Sequence, residues 1–72
     1  MSNFHNILKE LRINKNIKQT DIAKHLNVLP RTIRFYESGE REPDFDKLIA
    51  LADYLDCSVD YLLGRTNNPK IN

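Results

Sequence analysis

Apolar residues recur at intervals of three and four along nearly the whole chain, and no stretch alternates as a half-buried strand would. A chain patterned in this way folds into helices. Phe4, Ile7, Leu8 and Leu11 make a first stripe, with Ser2 or Asn3 as its N-cap. It ends at Asn14 to Asn16, since Asn16 can take the left-handed conformation usually given to glycine. Ile22, Ala23 and Leu26 mark a second, short helix starting near Gln19. Pro30 suits the first position of a third helix, where its missing N–H would have no helical partner. Ile33 and Tyr36 give that helix its buried side, and Gly39 stops it. Beyond a polar loop, Asp44 is a strong N-cap, and Phe45, Leu48, Ile49, Ala52 and Leu55 make the longest amphipathic stripe. Ser58 caps a last short helix, Val59 to Leu63, closed by Gly64. The expected architecture is all-α: five helices around one core over residues 1–65, then a flexible tail or linker start over 66–72.

Size and composition narrow the function. A chain of 72 residues forms one domain and buries only about 60% of its unfolded surface, which leaves little room for a deep catalytic cleft. No apolar run approaches the ~20 residues of a membrane span, and residues 1–20 lack the apolar core of a signal peptide. The single cysteine, Cys57, can form no internal disulfide, so a cytoplasmic location is expected. Net charge is only +1, but it is unevenly spread. Residues 1–41 hold eight basic against four acidic side chains, and residues 42–72 hold three against six. A basic front and an acidic back suit a molecule that turns one face to a polyanion.

Ala23, Asn27 and Ile33 lie four and ten residues apart and meet the mechanical needs of a helix-turn-helix. Helices crossing steeply need a small residue at the contact, Ala23. The tight turn needs tolerance of positive φ, Asn27, and the second helix needs a branched apolar residue reaching the core, Ile33. With Ile33 and Tyr36 buried, Pro30, Arg31, Arg34, Phe35 and Ser38 fall on or beside the open face of the third helix. Arginine can bond O6 and N7 of guanine together, and an apolar group can touch a thymine methyl. The other reading is a solvated face with Phe35 tucked into the core. Lys18, just before the second helix, is opposed by the helix dipole, which points to an external phosphate.

The run from Gln19 to Ala23, through Asn27-Val28 to Thr32-Ile33-Arg34-Phe35-Tyr36-Glu37-Ser38-Gly39, resembles the Cro/phage-repressor (Xre-type) helix-turn-helix family. Arg41-Glu42-Pro43 and the closing Val59-Asp60-Tyr61-Leu62-Leu63-Gly64-Arg65 extend the resemblance over roughly residues 6–65. It implies a five-helix, lambda-repressor-like domain that binds short double-stranded operators, commonly as a dimer, and regulates transcription, most often by repression. It places a phosphate contact on Gln19 and base reading on Pro30, Arg31, Arg34 and Phe35. Lys18, Thr32, Ser38 and Arg41 complete the expected phosphate contacts, and from its position Arg34 can reach either a base or a flanking phosphate. An ion pair between the first helix and the end of the third would join Arg12 to Glu37. Lys18 and Leu29 depart from the serine or threonine caps of relatives, and Pro30 can offer only apolar contact.

Other residues suggest less. His5, His25 and Cys57 lack the number and spacing of a zinc site, and Cys57 has no evident base, so neither metal, cofactor nor catalysis is expected. Tyr61, Leu62 and Leu63 could leave apolar surface for a homodimer contact. Two further readings share the same fold: a protein-interaction module such as an antitoxin or adaptor, and the N-terminal domain of a longer ligand-sensing regulator.

Overall fold

A computed structural model describes residues 3–70. Five helices follow in order: α1 (Phe4–Asn14), α2 (Gln19–Leu26), α3 (Pro30–Ser38), α4 (Phe45–Tyr54) and α5 (Val59–Leu62). No strand occurs among the described residues.

Local chemistry sets most of the boundaries. Asn3 precedes α1 without a side-chain capping bond, and Ser2, the other expected cap, lies outside the described residues. Asn16 and Asn27 both adopt left-handed backbone, at φ 57° and 59°, and end the first two helices. After α2 the N–H groups of Asn27 and Val28 return to the carbonyls of Lys24 and Ala23, which satisfies the open end of the helix. Pro30 opens α3, and Gly39 closes it at φ 84°. A side chain at that position would also meet the His5 ring, 3.5 Å from where its Cβ would stand. The Asp44 carboxylate accepts the Lys47 N–H at 2.8 Å, and the Ser58 hydroxyl accepts the Tyr61 N–H at 3.0 Å. Helix α5 ends at Leu62, one residue before the expected Leu63.

Leu8, Ile22, Ile33, Leu51, Leu55 and Leu62 are completely buried, joined by Phe4, Ala23, Leu26, Tyr36, Ala52 and Cys57. Every helix contributes to this one core. The α4 stripe needs correction. Phe45 is 84% exposed and Ile49 51%, whereas Leu51, absent from the expected stripe, is 0% exposed. Two overlapping registers run along α4: Phe45, Leu48, Ile49 and Ala52, and Leu48, Leu51, Ala52 and Leu55. Both have helical spacing, and the packing of α2 and α5 against α4 buries the second.

The chain beyond 65 makes contacts of its own. Residues 66–70 fold back, and the Pro69 carbonyl accepts the Ser58 N–H at 2.8 Å. Thr66 Oγ1 accepts the Asn68 N–H, and Asn68 Oδ1 accepts the Lys70 N–H. The N-cap residue of α5 has a backbone donor with no partner in its own helix, and this segment supplies one. Among the described residues no helix is long and apolar enough to cross a membrane.

Candidate nucleic-acid interface

Helices α2 and α3 meet where the sequence pattern placed the motif. Ala23 is buried at the contact, Asn27 carries the left-handed turn, and Ile33 reaches the core with no exposed surface. Burying Ile33 and Tyr36 turns the opposite side of α3 outward. Pro30, Arg31, Arg34 and Ser38 are exposed, while Thr32 and Phe35 are half-buried. Among the described residues Arg31 makes no ion pair and no side-chain hydrogen bond, so its guanidinium stands free on the exposed side of α3.

The inner end of α3 is held by a buried polar cluster. Arg12 Nε donates to Glu37 Oε2 at 2.6 Å and Arg12 Nη2 to Glu37 Oε1 at 3.1 Å, a two-bond fork. The third guanidinium nitrogen, Nη1, donates to the Ile17 carbonyl at 3.0 Å. The Glu37 side chain is only 4% exposed and that of Arg12 15%, so the pair is largely removed from water. Gln19 Nε2 adds a bond to Glu37 Oε1 at 3.0 Å, which ties the start of α2 into the same cluster. That inward bond fixes the direction of a side chain expected to face phosphate, and sequence reasoning missed it. The signal available was the pair of a glutamine opening one helix and a glutamate closing the next.

Of the expected phosphate contacts, Ser38 has its hydroxyl engaged elsewhere, whereas the Lys18 ammonium has no partner among the described residues. The Ser38 oxygen lies 3.1 Å from the Phe35 carbonyl and 3.0 Å from Glu40 Oε1, and it accepts the Glu40 N–H at 3.3 Å. Its single proton is therefore committed within the turn. Lys18 is exposed, but its own N–H donates to Asp21 Oδ2 at 3.2 Å, placing a carboxylate at the start of α2. Asp21 offsets the conflict between Lys18 and the helix dipole, so the dipole no longer calls for an external phosphate. Arg41 reaches back to α3, with its Cζ 5.2 Å from the Phe35 ring centre, and Arg34 lies over the same ring at 5.6 Å. Phe35 is thus neither fully open nor in the core.

The remaining candidates fall into structural roles. The His25 ring packs on Tyr54 with centres 4.5 Å apart, and His5 covers Gly39. Cys57 is buried, which pushes its thiol up from the ordinary value and away from the reactive thiolate. No group of three or more His, Cys, Asp or Glu suited to a metal ion occurs among the described residues. Leu62 is 0% exposed, so it belongs to the core and not to a surface contact, whereas Tyr61 and Leu63 are half-buried. An open polar recess of about 440 Å³ is lined from α4, α5 and the returning tail, including Asp53, Ser58, Asp60 and Lys70.

Comparison with known proteins accords with this geometry. A family model described as helix-turn-helix matches residues 8–62. The chain is 38% identical over 68 residues to the uncharacterized HTH-type transcriptional regulator YqaE of Bacillus subtilis, covering 94% of this chain and 59% of that protein. A transcriptional regulator from Listeria innocua has a similar crystal structure, with TM-score 0.86, 40% identity and coverage of 94% of this chain and 64% of that one. The P22 c2 repressor, solved in complex with a synthetic operator, superposes with TM-score 0.84 at 30% identity, covering 92% of this chain and all of that one. This chain spans 50–59% of the length of four curated relatives that it matches. On the match across residues 8–62 and the five-helix architecture, the chain belongs to the helix-turn-helix family, in its Xre/Cro-type branch.

Proposed function

We propose that this chain binds double-stranded DNA in a sequence-specific way and regulates transcription as a repressor in the cytoplasm, without catalysing a reaction. The observation that carries the reading is the outer face of α3, where Arg31 and Arg34 stand exposed and, among the described residues, without carboxylate partners, on a helix fixed from behind by Glu37. A helix of this kind enters the major groove, and Arg31 and Arg34 read base edges there, with Pro30 adding apolar contact. Lys18, Thr32 and Arg41 border that face and hold the phosphates, joined by Gln19 through the amide proton not given to Glu37; Ser38 contributes by shaping the turn. The similarity to a repressor solved with its operator and to proteins named transcriptional regulators supports this choice.

One small domain offers a limited interface, so two copies on an inverted repeat, with half-sites about one helical turn (~34 Å) apart, provide specific binding. Tyr61 and Leu63 contribute to the contact between copies. Leu63 lines a cleft of about 210 Å³ together with Leu48 and the exposed Phe45, so its apolar surface continues onto α4.

The test is selection of bound sequences from a random duplex pool, followed by footprinting at saturating protein. The reading expects a two-fold symmetric consensus protected over both half-sites. Recovery of no sequence preference would end the base-reading claim, and protection of one half-site alone would end the dimer claim.

A further inference from the structure

We propose that Phe35 is a positioning residue whose ring holds the Arg34 and Arg41 guanidiniums as a fixed pair on the DNA-facing edge. Arg41, already placed at the phosphates, is thereby coupled to Arg34 although it lies outside the helix-turn-helix. The inference rests on the DNA-binding reading of α3 and reassigns the ring from reading bases to holding the groups that meet DNA.

Both guanidinium carbons fall inside the ~6 Å range in which an aromatic face attracts a cation, at 5.6 Å for Arg34 and 5.2 Å for Arg41. Arg41 is tied to the same residue twice, because its backbone N–H also donates to the Phe35 carbonyl at 3.2 Å. That bond satisfies one of the carbonyls left open at the end of α3. It also fixes where the Arg41 side chain leaves the backbone. Neither of its sequence neighbours, Glu40 or Glu42, forms an ion pair with Arg41 among the described residues. Among the described residues neither Arg34 nor Arg41 forms an ion pair. Their guanidinium carbons stand no more than about 11 Å apart, so a single stretch of polyanion can meet both. A ring that gathers two unpaired arginines therefore builds a site for the phosphates and base edges of a duplex. It also restricts two long side chains before binding, so less freedom is lost on the DNA.

The test measures affinity for the selected operator across a salt series, using the wild type, Phe35→Leu, Phe35→Tyr, Arg41→Ala and the Phe35→Leu/Arg41→Ala double variant. A second operator has every half-site thymine replaced by deoxyuridine. Thermal melts establish that each variant is folded, and Phe35→Tyr keeps an aromatic face should Phe35→Leu fold poorly. Phe35→Leu is expected to weaken binding about three- to tenfold, and Phe35→Tyr to restore it. Arg41→Ala should lower the salt slope by about one ion. The double variant should lose clearly less than the product of the two single losses, because the ring acts partly through Arg41. Phe35→Leu should cost the same factor on both operators. A multiplicative double variant, or a Phe35→Leu effect that disappears on deoxyuridine DNA, overturns the proposal, the latter because the ring would then read a thymine methyl directly. Absence of duplex binding by the wild type overturns the DNA-binding reading and this inference together. Failure in the variants alone overturns only the inference.

Discussion

Arg12 and the pair Arg34 and Arg41 place the same side chain in opposite circumstances. Arg12 faces inward, with its guanidinium nitrogens shared between Glu37 and the Ile17 carbonyl. Arg34 and Arg41 face outward, lie against an aromatic ring and have no carboxylate partner among the described residues. A guanidinium largely withdrawn from water needs nearly every donor answered, because an unpaired buried charge costs several kcal/mol. A guanidinium at the surface keeps its hydration until a ligand replaces it. The inward cluster therefore serves the fold, and the outward pair leaves binding capacity unused. Glu37 and Phe35 lie two residues apart on α3, so one helix separates the two roles by the direction its side chains point.

The comparison breaks most visibly at Glu37. Glu37→Ala strands Arg12 and removes the partner of Gln19, and loss of one member of a buried pair costs roughly 3–5 kcal/mol. Some water reaches Arg12, which favours the lower end, and the melting temperature should fall by about 10 °C or more. Glu40→Ala, at an exposed position, should change stability by no more than about 0.5 kcal/mol. Equal shifts in thermal melts of the two variants would remove the distinction drawn for the inward cluster.

Arg31→Ala tests the outward side. Its side chain has no partner to strand among the described residues, so the melt should be unchanged while operator affinity drops by roughly 1–3 kcal/mol. Binding to scrambled DNA should fall much less, and preference at one base position in each half-site should relax. Equal loss on operator and scrambled DNA would make Arg31 a phosphate clamp.

Gln19→Ala sharpens the boundary between the two sides, because that residue faces both. Its amide bonds Glu37, which also has Arg12, so the expected stability loss is about 1 kcal/mol. If Gln19 also meets a phosphate, operator and scrambled DNA should weaken alike with little change in salt slope, since a neutral amide releases no counterion. A melt identical to wild type would mean that the bond to Glu37 contributes nothing to the fold. The smallest effect is expected on α4, where Ile49→Ala should shift stability by less than about 0.5 kcal/mol, against roughly 2–5 kcal/mol for Leu51→Ala. Urea denaturation of both variants decides which register is buried, and a larger loss for Ile49→Ala would restore the one expected from sequence.

What could be read without the structure was local. Asn16, Asn27, Pro30, Gly39, Asp44 and Ser58 act on the backbone within a few residues of themselves, so their chemistry declares helix ends in advance. The motif residues Ala23, Asn27 and Ile33 sit in a short segment with its own geometry, and the open face of α3 followed from them. The Arg12–Glu37 pair was legible only through the family resemblance, since 25 residues separate its members. The register of α4 was not legible at all. Phe45 and Leu51 are equally apolar, and spacing does not say which face meets another helix.

Sequence by itself therefore determined five helices, the Asp44 and Ser58 caps, the turn between α2 and α3, and the exposure of Arg31 and Arg34. Each depends on backbone preferences or on periodicity within one helix. Only the tertiary structure decided that Leu51 and not Ile49 is buried, that Gln19 turns inward to Glu37, and that residues 66–70 return to Ser58. It also decided that Arg41 shares the Phe35 ring with Arg34. These outcomes require two segments to meet, and a side chain's partner depends on which surface the rest of the chain brings to it. Charge and aromatic character are written in the sequence, but the distance between them is set by packing.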